Sequence, residues 1–131
     1  MALTLTIRDE VLGGAAPYEW TLELPNERTT VREIIRGRVY QEVQDHNRKQ
    51  EPTFRGLVQP EEAELTLNGW KLKTPRQLDW KKQFERAIEA FEQNRILLLI
   101  DDQQAEGLDE ELELKSGASV TFLRLTPLVG G

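Results

Sequence analysis

The run Val120-Thr121-Phe122-Leu123-Arg124-Leu125 places apolar side chains on both faces of an extended chain. An edge strand usually keeps its outward positions polar, so this run predicts a strand in the middle of a sheet. Its natural neighbour lies at the other end of the sequence. Leu3-Thr4-Leu5-Thr6-Ile7 alternates strictly, with Leu3, Leu5 and Ile7 on the buried face. The first and last strands are therefore expected as the central pair of a mixed sheet. Everything between them must be folded around that pair.

The intervening sequence divides by its periodicities. Gly13-Gly14 and Pro17 punctuate the chain before Tyr18-Glu19-Trp20-Thr21-Leu22-Glu23-Leu24, which alternates with Tyr18, Trp20, Leu22 and Leu24 inward. The two alternating runs predict an N-terminal hairpin. Thr30 with Glu33 makes a capping box for a helix bearing Val31, Ile34, Ile35, Val39 and Val43 on one stripe. Arg32, Arg36, Glu42 and Gln44 are left for solvent, and Gly37 allows close approach to the sheet. The helix is expected to end near Asp45-His46-Asn47. Residues 48–74 read as an exposed loop carrying a small hairpin. That hairpin joins Glu64–Leu67 to Trp70–Lys73 through Asn68-Gly69, a type I′ turn signal.

Thr74, Pro75 and Gln77 predict the start of a second helix, with Trp80, Phe84, Ala87, Ile88 and Phe91 as its apolar stripe and Asn94 at its close. Ile96–Ile100 is a short apolar run suited to a buried strand, ended by Asp101-Asp102. Leu108, Leu112 and Leu114 mark a shorter segment, and Lys115-Ser116-Gly117 a turn. The expected architecture is α+β: one domain over residues 1–131, helices covering one face of a mixed sheet, an insertion over about residues 48–94, and a flexible tail over 126–131.

Composition removes several functions. The formal net charge is −6 and the pI about 4.9, which argues against general nucleic-acid binding and against an anionic membrane surface. There is no cysteine, so disulfides, thiolate zinc sites and a cysteine nucleophile are excluded. His46 is the only histidine. No bound cofactor, metal site or catalytic residue is expected. Asp101, Asp102, Glu110, Glu111 and Glu113 fit no calcium-loop spacing and read as a solvated acidic face. Gly13-Gly14 lacks the pattern of a phosphate loop. Trp20, Trp70 and Trp80 read as packing residues. The longest apolar run, Ile96–Ile100, is far below membrane-spanning length, and the start lacks a basic and apolar leader, so a cytoplasmic location is expected.

The sequence closes with Leu128-Val129-Gly130-Gly131. A Gly-Gly segment has no side chains and can thread a narrow channel into another protein's active site. The alternative is a frayed terminus or a scar of processing.

Three stretches together resemble the ubiquitin-like β-grasp proteins, in particular bacterial ubiquitin-like modifiers and the sulfur-carrier family of the molybdopterin-synthase small subunit and the thiamine sulfur carrier. They are the hairpin and helix from Leu3 to Asn47, the segment Leu97-Leu98-Leu99-Ile100-Asp101-Asp102-Gln103, and Leu114-Lys115-Ser116-Gly117-Ala118-Ser119-Val120-Thr121-Phe122 leading to Gly-Gly. The sequence departs from the carriers in having Pro127 alone where they commonly have Pro-Pro, and in the excess over residues 48–94. The resemblance implies a β-grasp fold and a chain that is carried by enzymes and is not one itself. It makes Gly130 and Gly131 the conjugation terminus, and Leu125, Leu128 and Val129 a tail that gives a partner apolar grip. Gly131 would be adenylated by an ATP-using activating enzyme, with ATP bound by that partner. A conjugating enzyme, a metal-dependent deconjugating protease and target proteins are the further partners of the modifier branch. Three functions follow: a protein modifier, a sulfur carrier whose Gly131 becomes a thiocarboxylate for cofactor biosynthesis or tRNA thiolation, and a non-covalent binding module in which Gly-Gly is incidental.

Overall fold

The computed structural model describes residues 2–11, 17–49, 51–66, 69–74 and 76–125. Its main sheet contains β1 (Leu3–Val11), β2 (Tyr18–Leu24), β7 (Ile96–Ile100), β8 (Gln103–Gln104) and β10 (Ser119–Arg124), in the order β2-β1-β10-β7-β8. β1 and β10 run parallel in the middle, with Ile7 opposite Val120 and Val11 opposite Arg124. The other pairings are antiparallel, so the sheet is mixed. This is the central pair expected from the two-faced apolar run and the alternating first strand. Val120 and Phe122 are buried on the core face. On the other face Thr121 is buried between Arg8 and Leu99 of the flanking strands while Leu97, Leu99 and Leu123 are half-buried, the position of a central strand.

Leu3, Leu5 and Ile7 are fully buried, and Leu22 and Leu24 are buried across the β1–β2 pair. Trp20 is only partly buried, with its indole N–H donating to Asp9 Oδ2 at 3.3 Å. Tyr18 does not point inward as expected; it is exposed, and the Arg55 guanidinium lies 4.2 Å from its ring centroid. The inward alternation begins two residues after the strand does, at Trp20, because the start of β2 lies beyond the reach of the core.

β3 (Arg28–Thr30) leads into α1 (Val31–Lys49) and pairs with β9 (Glu111–Glu113). Thr30 Oγ1 accepts from the Glu33 backbone N–H at 3.1 Å, the cap that the sequence signalled. Val31, Ile34, Ile35, Val39 and Val43 are buried as one stripe. Gly37 faces β2 so closely that a Cβ there would stand 2.6 Å from Leu24 Cδ2. α1 runs on to Lys49, past the expected end, and Glu42 on its inner face is buried and not in solvent.

The segment after α1 is not an exposed loop. β4 (Thr53–Phe54), β5 (Ala63–Thr66) and β6 (Gly69–Leu72) form a small sheet in the order β4-β6-β5. Phe54, Leu57 and Val58 are buried in the same apolar cluster as Leu3, Ile34 and Phe122. The β5–β6 hairpin exists, but Thr66 pairs with Gly69, so the connection falls at residues 67–68, one place earlier than Asn68-Gly69. That connection lies outside the described residues, as do Gly13-Gly14 and Pro75.

α2 (Trp80–Glu92) packs on α1, with the Tyr40 and Trp80 rings edge to face at 5.3 Å. It starts later than Thr74-Pro75 suggested: Asp79 is the N-cap and its carboxylate accepts from Lys81 N–H at 2.9 Å. The reason is tertiary. Asn47 at the end of α1 donates to Leu78 O at 2.9 Å and accepts from Leu78 N–H at 2.7 Å, and the His46 ring N–H reaches Arg76 O at 3.2 Å. These bonds hold residues 76–78 outside any helix, where a local cap would start one. Ala87 and Phe91 are buried as expected, with Trp80, Phe84 and Ile88 partly buried. Asn94 follows the helix at φ +60°, a conformation that asparagine tolerates.

β7 and β8 are joined by Asp101 and Asp102, both at positive φ, which matches the twist of a tight hairpin. No helix among the described residues is long and apolar enough to cross a membrane.

Candidate functional site

The register of the main sheet decides where the chain leaves it. Arg124 lies between Val11 of β1 and Ile96 of β7. The next residue, Leu125, donates its backbone N–H to Arg95 O at 2.9 Å and is half-buried. Leu125 is thus held at the end of the sheet. Leu128, Val129, Gly130 and Gly131 lie outside the described residues.

A groove of about 400 Å³ opens beside this exit. The inserted segment supplies Leu57, Val58, Gln59 and Trp70 to its walls. α2 supplies Arg86, Glu89 and Ala90, and the main sheet closes it with Val11, Ile96, Arg124 and Leu125. The Trp70 indole N–H donates to Gly56 O at 3.0 Å, which fixes the ring as a wall. Arg124 lays its guanidinium 5.7 Å from the Trp70 ring centroid, a cation–π contact. Burial pulls the Arg124 guanidinium below its usual range, opposed by the negative charges of Asp9 and Glu42.

Next to the groove, charge is buried in the core. Arg38 is 1% exposed. It donates to both Asp9 oxygens, at 2.5 and 2.9 Å, and to Glu42 Oε2 at 3.2 and 3.0 Å. Glu42 Oε1 accepts from Leu57 N–H at 3.1 Å. Arg38 also stacks on Phe122, 4.6 Å from the ring centroid, and on Trp20 at 5.3 Å. One guanidinium therefore ties β1 to α1, and its second carboxylate ties α1 to the groove wall. Burial alone would lower the Arg38 pKa; Glu42 and Asp9 outweigh it and hold the group charged. Glu42 is pushed above the usual carboxylate range by burial, an effect only partly offset by Arg38 and Leu57 N–H.

His46 is also buried, edge to face with Phe54 at 5.3 Å. Burial lowers its pKa, so the ring is neutral near pH 7 and its Nε2–H is the donor to Arg76 O.

The acidic residues are spread over turns and the short strand β9. Asp101 Oδ1 accepts from Ser119 N–H at 3.0 Å and Glu110 Oε2 from Glu106 N–H at 3.0 Å. Among the described residues no three His, Asp or Glu side chains converge as a metal site would require. Of the residues singled out for the tail, the structure places Leu125 alone, and it places it on a groove that sequence reasoning missed. A weak signal existed for the buried pair. Arg38 and Glu42 sit four apart on the helical face of Ile34, Ile35 and Val31, which is inward-facing whatever its polarity.

No protein-family model matches this chain, and no curated protein matches its sequence.

Proposed function

We propose that this chain is a β-grasp, ubiquitin-like modifier that is activated at Gly131 by an adenylating enzyme and then transferred to a partner enzyme and a target protein. The observation that carries the reading is topological. A hairpin, a capped helix and a second hairpin precede a last strand that returns to the centre of the sheet beside the first. That arrangement supports the β-grasp assignment. It also holds Leu125 at the end of a central, largely buried strand, a fixed base for a reactive terminus.

The chain supplies no nucleophile and no base in this reading. A carboxylate is a poor electrophile at neutral pH. The partner's ATP converts Gly131 to an acyl adenylate with loss of pyrophosphate. A partner thiol then attacks the carbonyl, AMP leaves, and a target amine later displaces the thiol to form an amide. The narrow Gly130-Gly131 segment admits the terminus to the partner's channel, and Gly130→Ala adds a Cβ there. Leu125, Leu128 and Val129 give that partner apolar contacts.

The test is intact-mass spectrometry of the protein recovered from its own cells, beside a copy ending at Val129. A covalent adduct to another polypeptide through Gly131, absent from the shortened copy, supports the modifier. Exchange of one terminal oxygen for sulfur replaces it with the sulfur carrier. An unmodified terminus in cells that hold the activating enzyme leaves a non-covalent binding module.

A further inference from the structure

The protein carries a net charge of −6, yet basic groups gather at the groove beside Leu125: Arg86, Arg95 and Arg124, against the single carboxylate of Glu89. Arg86 is already committed, donating to Gln59 O at 2.8 Å and pairing with Glu61 at 3.2 Å. Arg95 and Arg124 have no ion pair with a described carboxylate. Arg124 is half-buried as well, over the face of Trp70. A guanidinium partly withdrawn from water, with Asp9 and Glu42 acting on it only from beyond ion-pair contact, is stabilised by an anion that can reach it directly. The walls between these cations are apolar: Leu57, Val58, Trp70, Ile96 and Leu125.

We infer that this groove is a binding site for a small organic carboxylate, its apolar body lying against Trp70 and Ile96 and its carboxylate meeting Arg95 and Arg124. The volume of about 400 Å³ is that of a ligand pocket, which typically spans roughly 300–1,000 Å³. The walls favour a flat aromatic or branched apolar body, since one of them is an indole. The site is built from the inserted segment and α2 together with the ends of β7 and β10. It stands whether or not Gly131 is ever activated.

The probes are naphthoate and its neutral analogue naphthylmethanol, titrated into the full chain and followed by amide and indole NMR shifts. Naphthoate is expected to move the Trp70 indole, Ile96 and Leu125 saturably, and to bind about tenfold more tightly than the alcohol. The Arg95→Gln/Arg124→Gln protein is expected to lose that tenfold preference. Arg95→Gln alone, at an exposed side chain, carries the same test on a fold that it leaves intact. Equal affinity for acid and alcohol overturns the proposal, as do shifts centred away from the groove. A chain ending at Val129, whose new terminal carboxylate lies four residues beyond the groove wall at Leu125, is expected to bind naphthoate unchanged. Loss of binding there would place the probe on Gly130-Gly131 and overturn the site, while leaving the mass-spectrometric test of Gly131 untouched.

Discussion

Arg38 shows how one residue can decide the cohesion of several elements. Its planar fork matches two carboxylates at once, and both are withdrawn from water with it. Removing the cation leaves Asp9 and Glu42 unpaired beside Phe122. Arg38→Met is therefore expected to cost about 3–5 kcal/mol in chemical denaturation. Glu42→Gln is milder, because its amide oxygen can still accept from Leu57 N–H and the burden of burying a charge is gone. His46 makes a second prediction. Its folded pKa lies below its unfolded value of 6.5, so the unfolded chain binds the proton first as pH falls. Its contribution is complete above that value and is lost as pH drops through the window below it. The hydrogen bond to Arg76 O and the charge of Glu51 oppose the shift and the Arg76 guanidinium reinforces it, but burial against Phe54 dominates. Unfolding free energies at about pH 7.5 and about pH 5 should show wild type losing more stability on acidification than His46→Gln. An equal loss in both proteins would remove His46 as the cause. Arg38 and His46 were hard to read for one reason: a polar side chain on a helix says nothing of its partners, which lie far away in sequence.

Elements whose signals were local were legible, and elements set by distant partners were not. The alternation of Leu3-Thr4-Leu5-Thr6-Ile7 and the cap at Thr30 name their own structure, and both stand in the fold. Thr74-Pro75 carried an equally good cap, yet Asn47 and His46 captured the following backbone and moved the helix start to Trp80. Phe54, Leu57 and Val58 obey no period, so nothing local marked them as core. Leu125 was legible as an apolar residue near the chain's exit; the groove beside it was not, since its walls come from four separate stretches. Gly69 is the sharpest test at this scale. Its φ is +127°, and a Cβ there would stand 2.7 Å from Phe54 O, a backbone atom with no freedom to yield. Gly69→Ala should destabilise by about 1–3 kcal/mol, read as a lower urea midpoint at unchanged slope. An unchanged midpoint would mean that β6 does not lie against β4 as described.

Across the whole molecule, the inserted segment shares its core with the main sheet. Phe54, Leu57 and Val58 join the cluster of Leu5, Ile35 and Val120, and Glu42 reaches across to Leu57 N–H. Such continuity predicts a single cooperative transition. Trp20 reports on the β1–β2 hairpin and Trp70 on the small sheet, so variants retaining one tryptophan each can be unfolded side by side. Their fluorescence midpoints should coincide with each other and with the loss of far-ultraviolet dichroism. An earlier Trp70 transition would make residues 51–72 a separately melting unit.

The parallel pairing of β1 with β10 also determines how the molecule answers a mechanical load. Leu3, at the start of β1, and Arg124, at the end of β10, stand at opposite ends of the same ladder. Tension applied to the two strands from those ends pulls them along their length in opposite directions. The load then falls on all the hydrogen bonds of the pair together, in shear, and cannot peel them one by one. Resistance to such a pull is a matter of unfolding rate and not of equilibrium stability. A motor that reels in the polypeptide from beyond Leu125 would meet its hardest step at the outset, before any other strand had yielded.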